Sequence, residues 1–172
     1  DMHVKELNPC RHLTLSWQND RLLRLTPLAE SDDGKSRITK FARHGQRRAH
    51  HKGALPNHAG WVLDQESFFK THEFQHSQAY FSCVTSATKH RQSIKMTLPA
   101  GLYLEIIFSG TFCDNAGKLS QRIEHFLQTN DLEPVGNIYI LPLENHWFSC
   151  DCEQYVNKIF LKVEDKDTTS LT

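Results

Sequence analysis

The 172-residue sequence has no apolar run near the roughly 18–20 residues that a membrane-spanning helix needs, so no membrane partner is expected. It opens on DMHVKELNP, a polar stretch without the basic-then-apolar order of an export leader, so secretion is not expected either. The five cysteines, Cys10, Cys83, Cys113, Cys150 and Cys152, are odd in number and follow no paired pattern. A disulfide framework is therefore set aside in favour of a reduced, cytoplasmic setting. No G-x-S-x-G elbow, phosphate loop or H-E-x-x-H pair occurs, so the chain is not expected to be an enzyme and no cofactor is implied. Net charge is zero, which removes a strong overall pull toward nucleic acid.

The charge is nevertheless uneven. Residues 1–96 carry 15 Lys/Arg against 9 Asp/Glu, and residues 97–172 carry 5 against 11. The segment Lys35 to Lys52 holds seven of the basic residues and no acid, and reads as a solvated helix face. The alternative is contact with DNA phosphates or an acidic partner.

Periodicity sets out the elements. Residues 11–28 read as one or two short strands, with Leu13, Leu15 and Trp17 alternating. Asp32 or Asp33 is placed to cap a helix over 35–50, with Ile38, Phe41 and Ala42 facing inward. Residues 60–64 and 77–84 read as strands, and Thr85 to Gln92 as a connector. Next comes LPAGLYLEIIFSGTF, in which Leu102, Leu104, Ile106 and Phe108 share one face and Tyr103, Glu105 and Ile107 the other. Ala116, Leu119, Ile123, Phe126 and Leu127 recur as on an amphipathic helix, N-capped by Asp114 and ended by a left-handed Asn130. A strand over Gly136 to Leu141 stops at Pro142, and a last strand alternates from Tyr155 to Val163.

Both halves thus read strand–helix–strand–strand. Gly60 and Gly136 lie 76 residues apart, and Tyr80 and Tyr155 lie 75 apart, which suggests an internal duplication. The expected fold class is α+β: a tandem β-α-β-β repeat with pseudo-twofold symmetry, helices on one face of an antiparallel sheet, and a central ligand cleft. Residues 1–10 form a lead-in, 11–163 the domain (repeats about 11–85 and 97–163), and 164–172 a tail.

LPAGLYLEIIFSGTF, HFLQTNDLEPVGNIYI and CEQYVNKIFLKVE, with RLLRLTPLAESDDGK, GWVLDQESF and QAYFSCV upstream, together resemble the effector-binding, gyrase-inhibitor-like domain of bacterial MerR-type multidrug-sensing regulators. The resemblance covers roughly residues 11–163. It implies a cleft for small hydrophobic, often aromatic or cationic, molecules. It also implies DNA contact only through a separate helix-turn-helix domain, for which nothing before residue 11 provides, and a possible homodimer. Where relatives that bind cations place acids, this sequence has Ile140 and Lys158.

The candidate ligand-binding residues are Tyr103, Glu105, Tyr139, Trp147, Trp61 and Tyr80, weighed against ordinary core packing for the aromatics and a solvated position for Glu105. Tyr and Trp combine a ring face that attracts cations with a polar tip that wants a partner. Phe68 and Phe69 read as core. Among the eleven histidines, neither His72/His76, His50/His51 nor the His146, Cys150 and Cys152 group makes a zinc pattern, and no metal is expected. The histidines are read as surface residues. The alternatives to a sensing domain are a small-molecule hydrolase on the same fold and a stand-alone protein-interaction module.

Overall fold

The computed structural model of the protein describes residues 10–49, 59–72, 77–84, 94–144 and 156–166. The chain runs β1 (Cys10–Gln18), β2 (Arg21–Pro27), α1 (Gly34–Ala49), β3 (Gly60–Leu63), a π-helical turn (Ser67–Thr71), β4 (Ala79–Val84), β5 (Ile94–Leu98), β6 (Gly101–Ser109), α2 (Phe112–Thr129), β7 (Leu132–Glu144) and β8 (Val156–Asp165). These strands form one antiparallel sheet in the order β1-β6-β8-β7-β3-β4-β2-β5. The order is unchanged when β1–β4 are exchanged with β5–β8 and read backwards, with the midline between β7 and β3. The α+β class and antiparallel sheet are as the sequence predicts.

Each half has two strands before its helix, not the one expected in the second half, and the first strand of each half pairs with the other half. Strand β5 escapes the sequence reading although Ile94, Met96 and Leu98 alternate with Lys95 and Thr97, because it is only five residues long and lies at the edge of the sheet.

The connections dictate the shape. β1 and β2 are six strand steps apart in the sheet, as are β5 and β6. On a flat sheet six steps are about 29 Å. Yet each pair is joined by only two residues, Asn19 and Asp20 in one case and Pro99 and Ala100 in the other. Such a link reaches about 10 Å. The sheet must therefore curl until its two ends approach, and the two links touch: Asp20 Oδ1 accepts the Ala100 amide at 2.6 Å.

The convex face carries the helices. Ala116, Leu119, Ile123 and Leu127 of α2 are buried against Leu104, Ile106, Phe108, Ile138 and Ile159, the face that alternation in β6 predicts. Phe68 is fully buried with them and Phe69 partly, as read from sequence. The ends of α2 differ from expectation. It begins at Phe112 rather than after Asp114, and the left-handed residue is Asp131 (φ 52°), one beyond Asn130. The Asn130 side chain instead donates to the Phe126 carbonyl at 2.8 Å.

Helix α1 keeps Phe41 on the sheet, over Trp61 and Tyr80, but turns Ile38 and Ala42 outward and His44 inward. Ile38 is 72% exposed and Phe41 41% exposed, and Ala42 is exposed, whereas His44 is 1% exposed. The sheet beneath offers polar groups, and these select the buried side. Ser82 Oγ and Thr26 Oγ1 each lie 2.7 Å from a His44 ring nitrogen, and Arg24 donates to the His44 carbonyl at 2.6 Å. The surface reading of the histidines thus fails at His44, since apolarity alone does not reveal a polar sheet face. Asp33 does cap α1, accepting the Ser36 amide at 2.8 Å. Asp32 accepts from Ala29 N, Ser36 Oγ and Lys40 Nζ.

The two glycines in the proposed repeat play different backbone roles. A Cβ at Gly60 would collide with the Ile140 carbonyl and the Phe81 ring, so β3 and β4 require the smallest residue there. Gly136 has open space around it but a φ of +77°, and lies where the register of β7 shifts against β8. This bulge carries one strand from Leu132 through Pro142 to Glu144, so Gly136 does not open it and Pro142 does not close it.

Two predictions follow from these contacts. Asp20→Ala removes the link between the two short connections and is expected to lower stability in urea unfolding by about 0.5–1.5 kcal/mol. The hydrogen bonds from Lys40, Ser36 and the Ala29 amide hold the Asp32 carboxyl well below the usual carboxylate range. Its contribution is therefore complete above the unfolded-state pKa, about 4, and is lost as pH falls toward the lower folded value. Asp32→Asn should flatten the acid limb of a melting-temperature profile; an unchanged acid limb would remove Asp32 from that role.

Candidate functional site

The concave face collects the side chains that alternation turns away from the helices. Antiparallel register sets Glu105 opposite Phe160, Phe160 opposite Tyr139, and Tyr139 opposite Val62. Curling then brings Phe81 and Arg21, from the other end of the sheet, onto the same rings. Tyr139 and Phe160 stack at 5.1 Å with planes 10° apart, and Phe81 stands edge-on to both, at 5.5 and 5.9 Å. Tyr103 is fully buried beside them, and its hydroxyl donates to the Pro99 carbonyl at 2.8 Å. That bond ties the ring to one of the two crossing links.

The guanidinium of Arg21 lies among these rings. Its Cζ is 5.0 Å from the Tyr103 centroid and 4.7 Å from that of Phe160. Each such contact contributes about 0.5–2 kcal/mol. Nε and Nη2 are closed off from solvent and have no hydrogen-bond partner among the described residues. Lys158 Nζ stands 5.9 Å from the Phe160 centroid and 3.3 Å from Glu105 Oε1. The Lys158 and Glu105 side chains are 25% and 16% exposed, so this pair forms the wetter rim.

The titrating groups report the same proximity. Burial pushes the Tyr139 hydroxyl up to about 12, with Tyr103 adding to the shift and the Arg21 charge opposing it. Burial likewise raises Tyr103, with the charge of Asp20 adding to the shift and the charge and a side-chain hydrogen bond of Arg21 opposing it. Desolvation raises the Cys83 thiol, while the charges of Arg21 and Lys158 act against it.

Of the residues singled out in the sequence, Tyr103, Glu105 and Tyr139 share this face. Trp61 and Tyr80 do not join them. Trp61 stacks on Phe41 at 6.4 Å, Tyr80 meets Phe41 edge-on at 5.2 Å, and the Tyr80 hydroxyl donates to the Arg37 carbonyl, all on the convex side under α1. Trp147 lies outside the described residues, as do His50, His51, His76, His146, Cys150 and Cys152. Among the described residues, no three His, Cys, Asp or Glu side chains come together as a metal site, and no helix is long and apolar enough to cross a membrane. Ile140, which the resemblance aligned with an acid, is buried on the convex face and takes no part.

Arg21, Phe160 and Lys158 were missed as site residues. Alternation had a signal for two of them, since Lys158 and Phe160 fall opposite Ile159 and Leu161 on the last strand. Nothing local marks Arg21, whose position depends on the curl. Two hollows, of about 370 and 440 Å³, flank the π-helical turn, and both lie away from the aromatic group.

Phe160 anchors this group. Phe160→Ala is expected to cost about 3–5 kcal/mol in urea unfolding, and Phe160→Leu clearly less. Equal costs would show that ring contacts add nothing there.

Neither a protein-family model nor a curated protein sequence matches the chain. Solved structures do share its fold. The C-terminal domain of EcmrR superposes with a TM-score of 0.66 at 14% identity, covering 90% of this chain and 98% of that one. EcmrR in a complex with DNA gives 0.67 at 13%, covering 95% of this chain, which spans only 62% of the EcmrR chain. A hydrolase from Listeria innocua gives 0.59 at 9%, covering 95% and 97%. SAV2435 bound to tetraphenylphosphonium gives 0.50 at 13%, covering 89% and 94%. At these identities the likeness establishes the curled eight-stranded α+β fold, which this chain shares with the C-terminal domain of a protein solved on DNA.

Proposed function

We propose that the chain is the small-molecule-sensing domain of a transcription regulator. Its effector is hydrophobic or aromatic and binds on the concave face among Tyr103, Tyr139 and Phe160. The observation that carries this reading is the aromatic group gathered around a cation, on a fold shared with the C-terminal domain of EcmrR. DNA contact would belong to a separate domain of a longer protein, as the complex of EcmrR with DNA suggests.

Tyr103 is fully buried and Tyr139 5% exposed, so the face is closed without an effector. Entry then parts the two ends of the sheet, which among the described residues the short links and the side chains between them hold together. A ligand that favours the parted state shifts the equilibrium toward it, and that change of curl is what a linked domain would read. The Glu105–Lys158 rim is the natural point of entry, being the partly exposed border of the rings.

The hydrolase from Listeria innocua keeps a second reading in view. Against it, Glu105, the acid on this face, spends Oε1 on Lys158.

The test is calorimetry and thermal shift of the folded protein with naphthalene and triphenyl probes. Binding should raise the melting temperature. Tyr139→Ala should weaken it at least ~10-fold, about 1.4 kcal/mol, and Trp61→Ala, on the opposite face, should leave it unchanged. The reverse order, or no binding to the folded protein, overturns the proposal. Turnover of an ester probe in the same samples, abolished by Glu105→Gln, would favour the hydrolase.

A further inference from the structure

The geometry points to an effector that is an anion: an aromatic body bearing a carboxylate or a comparable acidic group, received by Arg21. This inference rests on the sensing function proposed above and narrows its ligand class. It comes from the charges on the concave face, which are not those of a site for cations.

The place between the rings is already held by a cation. Arg21 lies about 5 Å from two ring centroids, the separation at which a cation is attracted by the ring quadrupole. A second cation entering there would have to displace it and would meet Lys158 as well. The one acid of the described group, Glu105, is paired with Lys158 at 3.3 Å. Asp20, the residue before Arg21, gives Oδ1 to the Ala100 amide. No ion pair reaches Arg21 among the described residues, and the guanidinium charge is left without a hydrogen-bonded counter-ion.

Nε and Nη2 make the case more specific. Leaving a buried charged donor unpaired is costly, and proteins rarely do so without a purpose. These are two donors of one planar fork, the arrangement that a carboxylate matches with two parallel hydrogen bonds. An anion seated there would satisfy both donors at once, while its aromatic body replaced packing among Tyr139, Phe160 and Phe81. At the rim the Lys158 and Glu105 charges offset each other, so the guanidinium of Arg21 is the charge among the rings that is left to receive an anion.

Three probes of one shape separate the possibilities: naphthalene-2-carboxylate, naphthalene-2-carboxamide and a naphthylmethyl-trimethylammonium. On the wild-type protein the carboxylate is expected to bind at least ~10-fold tighter than the amide, with the ammonium weakest. Arg21→Met should bring carboxylate and amide to the same affinity, and Arg21→Lys, which keeps the charge without the fork, should fall between. The ranking is read on wild type, so it holds even where a variant fails to fold. If the ammonium binds tightest, the anion inference is overturned and the sensing function stands. If the carboxylate binds no better than the amide, Arg21 is not a receptor. If none of the three binds the folded wild-type protein, both readings fall.

Discussion

Everything on the concave face depends on two chain connections that are too short for a flat sheet. β1 to β2 and β5 to β6 each cross from one end of the strand order to the other with two residues. Backbone geometry leaves the sheet no option but to curl. The curl lets Arg21 of β2 reach rings on β6 and β8, which a flat sheet would hold far apart. The bond from Asp20 to Ala100, and that from Tyr103 to Pro99, then fasten the two crossings to each other and to the rings.

Packing divides the labour between the faces. The convex core of Leu, Ile and Phe under α2 follows the alternation of β6 and β8 and accounts for most of the apolar burial. Under α1 the interface is mixed: Phe41 packs on Trp61 and Tyr80, while His44, Thr26, Ser82 and Arg24 join it by hydrogen bonds. Hydrogen bonds of this kind fix one orientation where greasy contacts would tolerate several. The concave group is the smaller core and holds the Arg21 guanidinium, whose Nε and Nη2 lack a hydrogen-bond partner among the described residues.

Much of this was legible in the sequence. The faces of β6, the core side of α2 and the Asp33 cap all followed from periodicity and capping chemistry. The full orientation of α1 was not, because Ile38 is apolar yet exposed, and the buried His44 is chosen by polar groups on strands distant in sequence. Asp131 took the left-handed position expected of Asn130, since both side chains tolerate it and only the entry into β7 decides. The candidate list held three residues of the concave face and two of the convex one. Single-strand alternation says which residues share a side within a strand, but not which sides of two strands coincide. That needs the register of β3 and β4 against β7, a long-range fact.

The same register changes the meaning of the two positions where acids were expected. Ile140 faces the convex core, so its lack of charge is a packing requirement and carries no information about a ligand. Lys158 faces the rings and holds Glu105 in an ion pair. A lysine there does more than remove an acid: it neutralises the next one. With Arg21 added, the aromatic walls enclose a cation. Aromatic and charged side chains sit two residues apart on the same strands, Tyr103 and Glu105 on β6 and Lys158 and Phe160 on β8, so a single substitution can change the charge and leave the walls in place. A shared fold therefore says little about which charged molecules a given member receives.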